Sequence, residues 1–336
     1  MGVPSMNTVQ RPQFAVSQPR LTLLQPWART KSMSSVSGAT SSTIFFPFKF
    51  IVISIVLPLL RRGFQCFRRA ADELRKRWTE RCIASLTGKN HSIRFRQTCR
   101  GIVEDFDRLP IHEGMVKPRV GIVGEILVKY MPLANNHLVE LLESEGAEVV
   151  VLDLMDFLNY SLFNSEYKHK YLGGKWSLSA AAKMGLDAIR ALRKPAVDAL
   201  KNSRRFRPPM PIEEIAELAK PFLSIGNQYG EGWFLAGEMA ELLTSGTPNI
   251  VCIQPFACLP NHVVGKGVIK QLRKVYPSAN IAAVDYDPGA SEVNQLNRIK
   301  LMLSAAKRAC QPPTGNVEHA EADGDARRQE LAHSEI

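Results

Sequence analysis

A chain of 336 residues, 45% of them hydrophobic, is long enough for one large buried core or two smaller ones, and its composition is that of a globular protein. The formal net charge of +11 is carried by the front: residues 1–118 hold 19 Lys and Arg against 7 Asp and Glu, whereas residues 119–336 hold 24 against 25. A neutral second part gives no charge signal for nucleic acid. Six scattered cysteines (Cys66, Cys82, Cys99, Cys252, Cys258 and Cys310) without a C-x-x-C pair exclude a disulfide scaffold and point to a reducing, cytoplasmic setting.

Residues 1–64 read as a leader. Residues 1–43 are rich in Ser, Thr, Gln and Pro, without helical or strand period, and the first acidic residue of the chain is Asp72. Such a segment buries too little apolar surface to offset its ordering entropy and is predicted to be disordered. Its acid-poor, Ser-rich composition also resembles a transit peptide. Residues 44–60 are the most hydrophobic stretch, but they fall short of the ~20 residues that span a bilayer. Pro47, Lys49 and Pro58 interrupt them, and Arg61, Arg62, Arg68 and Arg69 follow. Two readings stay open there. One is a tether with its carboxyl end on the cytoplasmic side; the other is a leader joined to a soluble domain.

Residues 65–116 read as a helical connector, with helices over 65–86 and 94–108. From residue 117 to 309 the texture is that of an α/β domain. Pro118 precedes the apolar run R-V-G-I-V-G-E-I, and apolar positions then recur at helical spacing (Leu138, Leu141, Leu142), with Asn135 or Asn136 as a cap. Gly146 closes that helix, and A-E-V-V-V-L-D is the second strand. This is a βαβ unit, which requires a parallel sheet. Residues 166–203 are basic and helical in pattern, interrupted at Gly173-Gly174, and Pro211 opens another helix. Strands are expected over 221–226, 249–254 and 279–285, with helices through 243, over 262–275 and over 291–307. The sum is a parallel Rossmann- or flavodoxin-like sheet of about five strands flanked by helices, with a disordered tail over 310–336.

Ligands of such sheets bind beyond the carboxyl ends of the strands. Four loops converge there. The first carries Glu125, and the second, G-N-Q-Y-G-E-G, carries Asn227, Gln228 and Glu231. Cys258, His262 and Lys266 follow the 249–254 strand, and Asp285 and Asp287 follow the last. The glycine loop matches neither the dinucleotide fingerprint nor a P-loop, and Glu231 would repel an anion at the helix start. Cys258 is readable as a metal ligand, as a nucleophile or as a structural residue, with His262 and Lys266 near enough in sequence to stabilise a thiolate. Lys266, between two glycines, fits a phosphate contact or a plain surface position. Asp285 and Asp287 suit a Mg²⁺ site, an acid–base pair or a turn cap. Cys252, inside an apolar run, reads as core.

Four runs carry a resemblance: K-P-R-V-G-I-V-G-E-I-L-V-K-Y-M-P-L-A-N-N (117–136), G-N-Q-Y-G-E-G-W-F (226–234), N-I-V-C-I-Q-P-F-A-C-L-P-N-H-V-V-G-K-G (249–267) and V-D-Y-D-P-G-A-S-E-V-N-Q-L-N-R-I-K-L-M-L (284–303). Over residues 100–309 the chain resembles the carboxyl-terminal region of acyl-CoA dehydratase activase-related proteins, which is similar to subunits of 2-hydroxyglutaryl-CoA dehydratase. The resemblance implies an iron–sulfur protein in which three cysteines per subunit hold a [4Fe–4S] cluster. An activator ATPase supplies a low-potential electron for dehydration of an acyl-CoA. Phe256-Ala257-Cys258 stands where the family's last cluster cysteine stands, so the resemblance makes Cys258 a metal ligand. The subdomain that carries the other two cysteines is missing from the match, and the cluster is not completable by this chain's cysteines alone. The expected role is therefore that of a fragment contributing one ligand. Its partner would be a dehydratase subunit or activator ATPase, or a second copy, with acyl-CoA as the candidate substrate. The alternative is a non-catalytic α/β module that docks on such a partner.

Overall fold

The computed structural model describes residues 68–86, 95–110, 116–287, 289 and 291–310. Four short runs rich in Val and Ile form strands: β1 (Arg119–Gly124), β2 (Glu148–Val151), β3 (Asn249–Pro255) and β4 (Asn280–Tyr286). All pairings are parallel, in the order β2-β1-β3-β4. Gly121 lies opposite both Val150 and Ile250, and Gln254 opposite Asp285. Near-continuous apolar runs of this kind suit strands that are covered on both faces.

Ten α-helices accompany the strands among the described residues. They are α1 (Arg68–Leu86), α2 (Phe95–Asp107), α3 (Ile126–Tyr130), α4 (Leu138–Ser144), α5 (Leu154–Tyr171), α6 (Trp176–Lys201), α7 (Ile212–Ala219), α8 (Phe234–Thr244), α9 (Ile269–Val275) and α10 (Glu292–Cys310), with a π-helix over Asn261–Lys266. Side chains alternate across each strand, so one face takes α8, the π-helix and α9 while the other takes α4 and α10. Ile250 and Cys252 pack with Leu235, Met239, Val264 and Leu272 on the first face. Val251 and Ile253 pack with Leu138, Leu142, Ile299 and Met302 on the second. The connector is not detached: Leu74, Trp78, Ile102 and Phe106 of α1 and α2 share a core with Ile189, Ala196 and Leu200 of α6.

The described sheet has four strands, one fewer than the sequence pattern suggested. Residues 221–226 make a turn instead of a strand. The N–H groups of Phe222 and Leu223 both donate to Ala219 O, at 3.0 and 3.2 Å, and so finish α7 instead of entering a ladder. The helix expected over 262–275 is divided into the π-helix and α9, and the last helix runs on through Cys310. The readings for residues 1–64 and 311–336 lie outside the described residues. Among the described residues no helix is long and apolar enough to cross a membrane.

From β1 the chain moves outward to β2, then returns past β1 to β3 and on to β4. That reversal makes the carboxyl ends of β1 and β3 the topological switch point, where a crevice opens between diverging loops.

Candidate functional site

At the switch point β1 and β3 part at Gly124, where a Cβ would stand 1.9 Å from Ile253 O. Glu125 then turns the chain into α3, its carboxylate accepting from Val128 N at 2.8 Å as an N-cap. Beyond β3, Ala257 takes a left-handed φ of 58°, and Cys258 N donates to Pro255 O at 3.3 Å. The π-helix begins three residues later, and such turns recur at functional sites.

Glu231 links the two exits. Its carboxylate accepts from Ile126 N and from Asn261 Nδ2, both at 3.2 Å. Asn261 Nδ2 also donates to Cys258 Sγ at 3.2 Å. The buried carboxylate of the glycine loop thus makes no side-chain cap on α8; it is turned to the exits of β1 and β3 and held there by two fixed donors. Gly232 makes this possible. At φ +46° it lets Asn227 O accept from Trp233 N at 2.7 Å, and a Cβ there would stand 2.1 Å from that carbonyl oxygen. Asn227 is exposed and donates to Ser224 O at 2.9 Å, and Gln228 Nε2 donates to Ile225 O at 3.2 Å while its Oε1 is buried without a hydrogen-bond partner.

β4 delivers the third group. Gln254 Nε2 donates to Asp285 Oδ1 at 2.5 Å and lies 3.5 Å from His262 Nδ1. His262 Nε2 is 3.7 Å from Asp285 Oδ1. Both imidazole nitrogens thus face Gln254 and Asp285, and the thiol's hydrogen-bond partner is Asn261. Of the two residues expected beside the thiol, Lys266 is exposed, and one turn of π-helix turns His262 toward β4. Asp287 falls past the end of β4 and takes no part in the Asp285 contact. Gln254 and Asn261, absent from the sequence candidates, are fully buried. Their carbonyl oxygens Oε1 and Oδ1, together with His262 Nε2, are buried without a hydrogen-bond partner in the described structure. Buried polar atoms left open in this way mark a place for a polar ligand or water. A polar residue ending an apolar strand and another one turn later were the available signals.

Behind this cleft lies a second polar layer that the sequence analysis missed. Lys129 Nζ and Glu238 Oε1 form a fully buried pair at 2.5 Å. Arg193 bridges Asp153 Oδ2 at 2.8 Å and Asp156 Oδ1 at 3.2 Å. Burial pushes Glu238 and Asp156 above the usual carboxylate range, against the pull of Lys129 and Arg193. Burial also pushes the Asp153 carboxyl up to about 7, with the Asp156 charge adding to it. The Tyr130 phenol, donating to Leu152 O at 2.7 Å, is raised by burial and by Glu238, Asp153 and Asp156. Three buried carboxyls face two buried cations here, so electroneutrality itself favours one retained proton. A cavity of about 610 Å³ touches Asp153 and Asp156, but it runs along the β2 edge toward Met210 and Glu241. Gln254 Oε1, Asn261 Oδ1 and His262 Nε2 gather within one strand-to-helix loop beside the half-exposed Cys258, which makes the β1–β3 switch point the candidate site.

A [4Fe–4S] cluster does not fit this donor set. Cys258 is half-exposed at the cleft, but Cys252 is buried in the core with its thiol pushed up to about 12 by burial. Among the described residues no three His, Cys, Asp or Glu side chains gather as metal ligands. Cys66 lies outside the described residues. No protein-family model, no curated protein sequence and no solved structure matches the chain.

Proposed function

We propose that this chain is a 2-hydroxyacyl-CoA dehydratase-type α/β domain that works against a second subunit, to which it presents Cys258 as a single thiolate ligand. The observation that carries this reading is the setting of Cys258. It is half-exposed at the switch-point crevice, and its sulfur accepts a hydrogen bond from the fixed amide of Asn261 at 3.2 Å. The fixed donor orients the sulfur, and its partial exposure leaves it within reach of a metal. Since one thiolate completes no cluster, the remaining ligands belong to a partner subunit or a second copy. The rim supports a docking role: Leu127, Tyr229, Phe256, Leu259 and Val263 are exposed around the cleft, and clustered apolar side chains of this kind suit a subunit contact.

Anaerobic reconstitution of the full chain with ferrous iron and sulfide tests the reading. Iron and sulfide content and the EPR signal after dithionite would be followed across gel-filtration fractions. A cluster confined to a dimeric fraction, and lost in Cys258→Ser, is the expected result. Iron retained equally by Cys258→Ser, or no iron in either protein, removes Cys258 as a ligand. The same edge is then a docking surface without a cluster.

A further inference from the structure

The α5–α6 hairpin carries the second feature that calls for a partner. Its turn is firmly built: Leu172 N and Gly174 N both donate to Lys168 O, at 3.0 and 2.9 Å, and His169 Nδ1 lies 2.8 Å from Gly174 O. Gly173 supplies the left-handed φ of 68° that closes it. From this ordered turn four large apolar side chains point outward within eight residues: Tyr171 (60% exposed), Leu172 (65%), Trp176 (71%) and Leu178 (65%). Leu178 is exposed because the first turn of α6 overshoots the packed part of the hairpin, whose contacts begin at Ala182 and Leu186.

The charge around them is mostly positive. Residues 166–187 contain Lys168, Lys170, Lys175 and Lys183 against Glu166 and Asp187 at the two ends, and the turn itself, between Tyr167 and Leu186, holds no acid. All four lysines are exposed, and Lys170 Nζ lies over the Tyr171 ring at 5.0 Å. Lysine stems can lie along apolar surface while the ammonium stays in a hydrated, anionic layer. Trp and Tyr place an apolar body and a polar edge at the same depth. Among cations the tip uses only lysine, with none of the forked guanidinium contacts that favour a folded acidic protein. These properties match a bilayer surface rather than a pocketed partner.

We infer that the α5–α6 hairpin tip is an interfacial anchor for anionic membranes, inserting Leu172, Trp176 and Leu178 at headgroup level while its lysines meet the lipid charge. The contact between Tyr167 and the glycine loop, where a Cβ on Gly226 would stand 2.6 Å from the Tyr167 hydroxyl, sets the last turn of α5 against the loop that leads to Glu231. The anchor would hold that loop near the membrane surface. This inference does not depend on the role of Cys258.

Flotation of the full chain tests it, with phosphatidylcholine vesicles and with vesicles containing phosphatidylserine, at low and high salt. The wild type is expected to float with the anionic vesicles and to be released by salt. Leu172→Ser/Trp176→Ser/Leu178→Ser and Lys168→Gln/Lys170→Gln/Lys175→Gln should each lower partitioning at least tenfold. Residues 44–60 stay in every variant, so lipid binding by that stretch alone would leave all three proteins equal. Trypsin cleavage at Lys168–Lys175, slowed by anionic vesicles in the unmodified chain, gives a second readout that needs no variant to fold. Equal flotation of wild type and both variants, no preference for anionic over neutral vesicles, or no protection from trypsin overturns the inference. Binding to an acidic polypeptide in place of vesicles overturns it as well.

Discussion

Lys129 Nζ lies 2.5 Å from Glu238 Oε1, and the two side chains are 0% and 1% exposed. The pair joins the exit of β1 to the middle of α8, behind the cleft. Its strength is conditional, because desolvating two charges offsets most of their attraction, whereas leaving one charge without the other is costly. Lys129→Met or Glu238→Leu alone should therefore lower stability by about 3–5 kcal/mol. The double variant should recover most of that loss. Urea unfolding of the four proteins measures it, and additive losses would show that the two residues act independently.

Asp153 brings a pH dependence. Its carboxyl is pushed up to about 7, first by burial and then by the charge of Asp156, while Arg193 pulls the other way. An unfolded aspartate titrates near ~3.9. Between roughly pH 4 and about pH 7 the folded chain holds a proton that the unfolded chain has released, so this site's stabilisation is full at the acidic end and lost as pH rises. Asp153→Asn keeps an acceptor for Met155 N, the 3.0 Å cap of α5, but removes the titrating group. The urea midpoint of the variant, relative to wild type, should improve as pH is raised across that window; a constant difference would count against the assignment.

The thiols should separate by reactivity. Cys99 and Cys252 are buried, and burial pushes both up to about 12. Cys258 and Cys310 are partly exposed. Iodoacetamide on the native chain should label the latter two first, with Cys99 and Cys252 slower by more than ~100-fold until urea is added. Mass spectrometry of the peptides reads the order directly. Early labelling of Cys252 would mean that the π-helix does not seal β3.

Gly232→Ala should be destabilising by about 2 kcal/mol or more, since it adds a side chain at positive φ into the Asn227 carbonyl. Because Gly232 sets the direction of Glu231, the change should also speed alkylation of Cys258 as Asn261 loses its anchor. Loss of stability without any change at Cys258 would uncouple the glycine loop from the thiol.

Much of the architecture is written locally. Runs such as V-G-I-V and N-I-V-C-I announce strands because β-branched side chains fit a pleated surface buried on both sides. The βαβ order of those runs requires parallel pairing, and parallel pairing sends Glu125, Cys258 and Asp285 to one edge, where the loop before α8 brings Glu231 by its bonds to Ile126 and Asn261. The sequence by itself therefore determined the kind of fold and the edge at which the candidate residues gather. It could not separate residues 221–226 from a strand, because Phe222-Leu223 satisfies the same pattern whether its N–H groups enter a ladder or finish α7, as they do here.

Tertiary structure alone decided which polar groups meet. Lys129 and Glu238 are 109 residues apart, and Gln254 and Asp285 are 31 apart. Such pairs follow from sheet register and helix placement, which no local period encodes. The π-helix turns His262 toward β4 and leaves Asn261 to hold Cys258. Periodicity reports what each segment hides from water; only the packed chain settles what each buried charge is hidden beside.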